Sequence, residues 1–132
     1  MKVRLEYLLD THTFLWAVYA EGKLGGEAHR ILATTPYDQL AISDISLQEI
    51  GLLEHACKIT LEGRAAAGIR QLLEHVTVLP ITLEIGLLAP TLALPHGDQF
   101  DHIIVATAKV QRLTLITRDA NISDSGLVPT VW

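Results

Sequence analysis

Short apolar runs alternate along the chain with stretches in which apolar residues recur every three or four positions. The runs are typical of buried strands and occur at Val3–Leu9, Leu40–Ile42, Val76–Leu79, Leu113–Thr117 and Val128–Trp132. The periodic stretches predict helices around Phe14–Trp16 and over Glu27–Thr35, Ser46–Leu53, Glu62–His75, Thr82–Leu88 and Gly97–Ala108. Strands that alternate with helices are typical of a mainly parallel sheet, so the chain is predicted to be an α/β protein.

The helix predicted within Gly97–Ala108 is the stretch around which the rest of the chain is arranged. One face, expected to be buried along one side of the helix, carries Phe100, Ile103, Ile104, Thr107 and Ala108. Asp98 and Asp101 are three residues apart and project together from the first turn, where the helix dipole stabilises negative charge. They are interpreted either as an N-cap with a first-turn acid or as part of an acidic site.

Two further acids follow predicted strands directly. Asp10 ends the first strand and precedes a helix, and Asp119 comes just after Leu113–Thr117. In a parallel α/β sheet, ligands bind at the carboxyl ends of the strands, although Asp10 is equally suited to cap the next helix.

Glu49 has two interpretations. Ser46 and Glu49 have the spacing of a capping box, in which each side chain satisfies a backbone N–H of the other residue. The helix that contains Glu49 also follows a strand, however, and a parallel sheet would bring its carboxylate close to Asp10.

Composition and charge narrow the possible functions. The 132 residues are predicted to form one domain, residues 1–132, with an aliphatic core, because 49% of them are hydrophobic and only 5% aromatic. No apolar run approaches the ~18 residues of a membrane span, no signal peptide is recognised, and the protein is expected to be cytoplasmic. The single cysteine, Cys57, excludes an internal disulfide and a cysteine zinc cluster. The net charge of -5 means that nucleic-acid binding would need a local basic patch or bound cations.

The candidate acids are expected to meet at one edge of the sheet: Asp10, Glu49, Asp98, Asp101 and Asp119. Two carboxylates in close contact repel by roughly 4 kcal/mol at an effective dielectric constant of about 20, so they would stay ionised together only around a cation. Oxygen ligands without a His or Cys set favour Mg²⁺ or Mn²⁺. Such an ion activates water and stabilises charge on a phosphoryl group, which is the chemistry of phosphodiester hydrolysis.

Four stretches of the chain resemble PIN-domain proteins, and specifically the VapC-type toxins of toxin–antitoxin pairs. They occur in the family's order and spacing, cover essentially the whole chain, and are Leu8–Trp16, Ile45–Ile50, Gly97–Ala108 and Leu113–Asp119. The terminal Val131-Trp132 also fits this resemblance.

The resemblance implies a small three-layer α/β/α sandwich, commonly dimeric, that acts as a Mg²⁺- or Mn²⁺-dependent endoribonuclease. The substrate would be tRNA, rRNA or mRNA, and a VapB-type antitoxin would hold the enzyme inactive by lying across the active site. The acidic core would be Asp10, Glu49, Asp101 and Asp119, with Asp98 as an additional acid. In this hypothesis Asp10, Asp101 and Asp119 hold the ion, while Glu49 orients the attacking water or a second ion. The hydroxyls of Thr11 and Thr117 would orient the carboxylates.

Two positions depart from the family pattern, and one other function remains open. His102 stands where many relatives carry Arg, and Gln48 where they often carry Trp; neither change removes an implied metal ligand.

The alternative function is a non-catalytic PIN-like module that binds RNA or a basic peptide through its acidic groove. A receiver-type phosphoacceptor is disfavoured because Leu9 and Thr11 flank Asp10 where that class needs a second acid. A nucleotide-binding enzyme is disfavoured because no Gly-rich loop follows the first strand.

Overall fold

The computed structural model describes residues 4–95 and 98–132, which form one five-stranded sheet and seven α-helices. The strands are β1 (Tyr7–Leu9), β2 (Leu40–Ser43), β3 (Thr77–Leu79), β4 (Thr114–Ile116) and β5 (Thr130–Val131). The helices are α1 (Thr11–Tyr19), α2 (Gly26–Thr34), α3 (Ile45–His55), α4 (Gly63–His75), α5 (Leu83–Leu88), α6 (Gln99–Gln111) and α7 (Ala120–Ser125). Val3, where the first strand was predicted to begin, and Gly97, the first residue of the predicted stretch Gly97–Ala108, lie outside the described residues, as does His96.

All strand pairs in the sheet are parallel, in the order β3-β2-β1-β4-β5. In the middle of the sheet, Leu9 lies opposite Ile42 of β2 on one side and Ile116 of β4 on the other. The chain builds outward from β1 to β3 in one direction and then returns to continue with β4 and β5 in the other. The carboxyl ends of β1 and β4 therefore flank the point at which the topology reverses, and ligands of open parallel sheets bind at such a point.

Alternate residues of each strand enter apolar cores on opposite faces of the sheet. Leu8 and Leu115 join the core formed with α5 and α6, which includes the fully buried Ile104. Leu9 faces the other way and packs with Phe14 of α1 and with apolar residues of α4. Helices thus cover both faces, and the predicted three-layer α/β/α sandwich with a parallel sheet is confirmed.

The helix α6 is more deeply buried than predicted. Ile103 to Ala108 are all at most 8% exposed, including Val105 and Ala106 outside the predicted face. The expectation of burial along one side was therefore wrong for the middle of α6, because α3, α5 and the sheet all contact this helix. The first turn, with Asp98 at the N-cap, remains near the surface.

The predicted capping box at Ser46 and Glu49 is wrong. The N-cap of α3 is Asp44, and Ser46 lies inside the helix, where its buried hydroxyl accepts a hydrogen bond from Thr11 Oγ1 over 2.9 Å. The N–H of Ile45 instead bonds to the hydroxyl of Ser43 over 3.2 Å. Since Glu49 is not engaged in a cap, its carboxylate is free to face another part of the molecule.

Other differences concern exposed apolar residues and one short helix. Leu47 and Leu52, predicted on the buried face of α3, are 40% and 49% exposed, and Leu87 of α5 is 65% exposed. The helix α7, which begins directly after Asp119, was not predicted from the sequence. Within the described ranges, no helix has the length and the apolar character needed to cross a membrane.

Candidate functional site

An open cleft lies at the carboxyl ends of β1 and β4, at the topological switch point of the sheet. Its volume is about 490 Å³, and the side chains of all five candidate acids line it: Asp10, Glu49, Asp98, Asp101 and Asp119. These acids come from four separate parts of the sequence, so the fold brings together the residues that the sequence analysis selected.

One hydroxyl connects the acids at the ends of the two strands. Thr117 Oγ1 donates to Asp10 Oδ2 over 2.7 Å and accepts the backbone N–H of Asp119 over 3.1 Å. The other oxygen of Asp10 accepts the N–H of Thr11 over 2.8 Å, so Asp10 also caps α1. Burial raises the pKa of Asp10, and the hydrogen bonds from Thr117 and Thr11 partly oppose this effect.

Asp119 is the N-cap of α7 and also lines the cleft. Its Oδ1 accepts the backbone N–H groups of Asn121 and Ile122 over 2.8 and 3.2 Å, which begins α7. The second oxygen is not used in this cap. At both strand ends, therefore, the same carboxylate caps a helix and lines the cleft, so capping does not prevent Asp10 or Asp119 from facing a ligand there.

On α6, Asp98 and Asp101 face the cleft from the first turn. Asp98 Oδ1 accepts the N–H of Phe100 over 2.9 Å, as expected for an N-cap. Asp101 is partly buried, and its pKa is raised from 3.8 to about 7 by burial and then by the charges of the other four acids, Asp10 first among them. The five carboxylates therefore lie close enough for the charge of each of the other four to act on Asp101.

Glu49 reaches the same cleft from α3. Burial raises the pKa of its carboxyl group, the nearby Thr11 hydroxyl lowers it, and the charge of Asp10 raises it again. Thr11 thus contacts the site in two ways: its hydroxyl lies near Glu49 and within 2.9 Å of Ser46 Oγ, and its backbone N–H donates to Asp10 Oδ1.

The chemistry of this donor set fits a hard divalent cation. All five groups offer oxygen, and their mutual repulsion would fall if a cation lay between them. In the part of the chain that the structure describes, no three His, Cys, Asp or Glu side chains are placed so that together they could hold a metal ion as they stand. Mg²⁺ typically keeps several waters and uses only one or two carboxylates, so an open set of this kind suits Mg²⁺ better than zinc.

His102 does not line the cleft. Its Nδ1 lies 2.8 Å from the carbonyl oxygen of Asp98, to which the ring N–H donates. The side chain lines a separate, mainly apolar groove between α5 and α6, with Ile81 and Pro90 among its neighbours. His102, one of the two residues that depart from the family pattern, therefore lies in this groove and not among the acids.

Cationic and aromatic residues lie beside the acids and were not predicted from the sequence. Arg118 and Trp16 line the cleft, and the guanidinium carbon of Arg118 lies 5.8 Å from the centroid of the Trp16 ring. Lys23 Nζ lies 5.6 Å from the same centroid. One sequence feature could have indicated a cation at the cleft: Arg118 stands between the predicted strand Leu113–Thr117 and Asp119, so it follows the strand at the same edge of the sheet.

Comparison with known proteins agrees with this geometry. Residues 7–126 match the PIN domain family model, a range that includes all five acids. The chain is 32% identical over 115 residues to Ribonuclease VapC22 of Mycobacterium tuberculosis, and the match covers 85% of each protein. The fold is similar to that in the DNA-bound VapBC complex of Salmonella typhimurium (TM-score 0.71, 19% identity, 96% and 97% of the two chains). It is also similar to VapBC-1 of nontypeable Haemophilus influenzae (TM-score 0.66, 25% identity, 96% and 97% of the two chains). The chain therefore belongs to the PIN-domain family.

Proposed function

We propose that this protein is a divalent-metal-dependent endoribonuclease and the toxin of a VapBC-type toxin–antitoxin pair. The observation that carries the proposal is the convergence of five carboxylates in one open cleft at the switch point of a parallel sheet. The similarity to a protein named as a ribonuclease supports RNA as the substrate, and tRNA, rRNA and mRNA are all candidates.

Asp10, Asp101 and Asp119 are the proposed metal ligands, with Glu49 and Asp98 as further oxygen donors. Bound Mg²⁺ or Mn²⁺ would supply activation of water and stabilisation of charge on the phosphoryl group. Glu49 has a pKa raised by burial, which suits its carboxylate to orient the attacking water and accept its proton. Thr117 fixes the orientation of Asp10 by donating to Oδ2, which leaves the acid little rotational freedom.

The proposed partner is a VapB-type antitoxin, and the proposed assembly contains a homodimer of this chain. A basic antitoxin segment would be attracted by the acidic cleft of a protein whose net charge is -5. Exposed leucines on α5 are compatible with a dimer surface, since Leu83 and Leu87 are 77% and 65% exposed. Cellular RNA as substrate would place the activity in the cytoplasm of a prokaryote.

The direct test is cleavage of a mixed RNA pool by the purified, antitoxin-free protein in Mg²⁺, in Mn²⁺ and in EDTA. Asp10→Asn and Asp101→Asn are the matched variants, because each removes one charge and keeps the shape of the side chain. We expect cleavage with metal and a loss of at least about 100-fold in both variants. A folded wild type that binds RNA but cuts neither the pool nor native tRNA and rRNA would instead indicate the non-catalytic module.

A further inference from the structure

A single indole ring holds two positive charges at the edge of the carboxylate cleft. Trp16 lies on α1, six residues after Asp10, and both Lys23 and Arg118 lie within 6 Å of its ring centroid. At this distance a cation is attracted by the negative face of the aromatic ring. We call Trp16, Lys23 and Arg118 the indole–cation rim.

The ring of Trp16 is fixed by further aromatic contacts. Trp132 packs against it edge-on, with centroids 5.8 Å apart, and His12 lies at 5.5 Å in a tilted arrangement. Trp132 is itself tied to the start of α2, because its carbonyl oxygen accepts the N–H of Glu27 over 3.2 Å. The indole is therefore a fixed platform, and the two cations that it holds are restricted in position.

The charges of the indole–cation rim are available to a ligand. Among residues 4–95 and 98–132 the structure forms one ion pair, Arg30–Glu27, so neither Lys23 nor Arg118 is neutralised by a carboxylate. Both side chains belong to exposed residues. Arg118 also lines the cleft directly beside Asp119, which puts one of these charges at the border of the acidic site.

A polyanion that enters this cleft meets five acids, and bound metal would offset only part of their repulsion. Cations beside the acids would offset more of it, in a chain whose net charge is -5. An acidic or phosphate-rich ligand fits the indole–cation rim, whereas the basic antitoxin segment proposed above would be repelled by it. Proteins that bind single-stranded nucleic acids combine aromatic side chains with positive charge, and the indole beside two cations resembles that combination.

We propose that the indole–cation rim binds the RNA strand beside the scissile bond, with Arg118 and Lys23 each contacting a phosphate. This inference rests on the proposed ribonuclease function and names where its substrate lies. Arg118 and Lys23 are positioning residues in this proposal, and Trp16 holds them in place.

Salt dependence of RNA binding tests the proposal, because each phosphate contact on a single strand contributes about -0.7 to the slope of log K against log salt. We would measure binding of a labelled single-stranded RNA to the Asp10→Asn protein in Mg²⁺, alone and with Arg118→Gln or Lys23→Gln. Each variant is expected to make the slope shallower by about 0.7, and the double variant by about 1.4. Arg118→Lys keeps the charge and should restore the slope. Arg64→Gln and Lys58→Gln remove exposed cations that are not among the residues lining the cleft, and they are the matched controls.

Cleavage by the otherwise wild-type protein gives a second readout. Arg118→Gln and Lys23→Gln should raise KM several-fold with little change in kcat, because the acids that carry the chemistry are intact. Trp16→Leu should also raise KM while leaving both charges present, and Trp16→Phe guards against a simple loss of folding.

The two experiments together separate the proposals. If the protein cleaves RNA but Arg118→Gln and Lys23→Gln give the same salt slopes as the Arg64→Gln and Lys58→Gln controls, only the proposed role of the indole–cation rim is overturned. Altered slopes without any cleavage would overturn the ribonuclease and retain the rim as an RNA-binding surface. If the RNA does not bind at all, both proposals are overturned.

Discussion

Thr117 and Asp10 are joined by a 2.7 Å hydrogen bond although they are separated by 107 residues in the sequence. The bond connects the ends of two adjacent parallel strands, β4 and β1, at the floor of the cleft. The same hydroxyl accepts the N–H of Asp119, so one small side chain links both strand-end acids.

Replacing Thr117 by valine should weaken both the fold and the site. The shape is retained, but Asp10 loses its donor and the N–H of Asp119 its acceptor, so we expect a loss of stability of about 1–3 kcal/mol. The pKa of Asp10 should rise further, because the hydrogen bond from Thr117 lowers it. Urea unfolding measures the first effect, and the acid limb of the cleavage pH profile, shifted to higher pH, measures the second. Thr117→Ser keeps the hydroxyl and should behave like the wild type; equal effects of both substitutions would contradict this role.

Asp101 should make the metal-free protein less stable as the pH rises. Its pKa is 3.8 in the unfolded reference and about 7 in the folded protein. Between these values the folded state binds more protons than the unfolded state, so raising the pH through this window favours unfolding. Thermal melts in EDTA should therefore give a lower Tm at pH 8 than at pH 5.5. Asp101→Asn should flatten this dependence, and an unchanged slope in that variant would disprove the assignment.

Divalent metal should reverse that loss. Binding to the folded state alone stabilises it by about 2.7 kcal/mol when the ion is present at 100 times its Kd. Since the carboxylates must be ionised to bind, the rise in Tm with Mg²⁺ or Mn²⁺ should be larger at pH 8 than at pH 5.5. NaCl at the same ionic strength is the control for screening. An equal rise in the wild type and in Asp101→Asn would argue against a metal site in the cleft.

A methyl group at position 25 should disturb Trp132. A Cβ built on Gly25 would come within 2.6 Å of the carbonyl carbon and the ring of Trp132, whereas one on Gly26 would meet nothing within 4 Å. Gly25→Ala is therefore expected to destabilise the fold by about 1–3 kcal/mol and to change the tryptophan fluorescence. Gly26→Ala is the matched control and should change neither. A silent Gly25→Ala would mean that Trp132 is not held against this segment.

The middle of α6 should tolerate truncation poorly. Ile104 is fully buried in the core between α6 and the sheet, so Ile104→Ala is expected to lower the free energy of unfolding by about 2–5 kcal/mol. Leu52→Ala removes the same number of carbon atoms at a position that is 49% exposed and should cost less than about 0.5 kcal/mol. Denaturant unfolding of the two variants compares them directly, and similar losses would contradict the burial described for α6.

The strand-end acids and the parallel sheet could be predicted because each depends on local pattern and one general rule. Apolar runs identify the strands, and parallel pairing brings Asp10 and Asp119 to the same edge. No pairwise contact had to be known for this step. The pKa of Asp101 is a further consequence of the same convergence, since its neighbours come from separate segments.

The wrong predictions, at Ser46 and in α6, arose where a local sequence pattern is compatible with two structures and contacts from residues distant in the sequence determine which one forms. Ser46 has the spacing of a cap, but Thr11 from another helix binds its hydroxyl inside α3. In α6, contacts from three sides bury Val105 and Ala106, which periodicity alone assigns to the surface. The helix α7 has six residues and one buried apolar side chain, Ile122, which is too little for any periodicity to be detected.

The long separation between Asp10 and Thr117 has a consequence for folding. A partly folded chain that has paired only β1, β2 and β3 contains Asp10 and Glu49 but lacks the strand that carries Asp119 into place. Contacts between residues so distant in sequence form slowly, because a long loop must close before they are made. The carboxylate cleft thus exists only once β4 has docked beside β1, and the chain has no assembled acidic centre at any earlier stage of its folding.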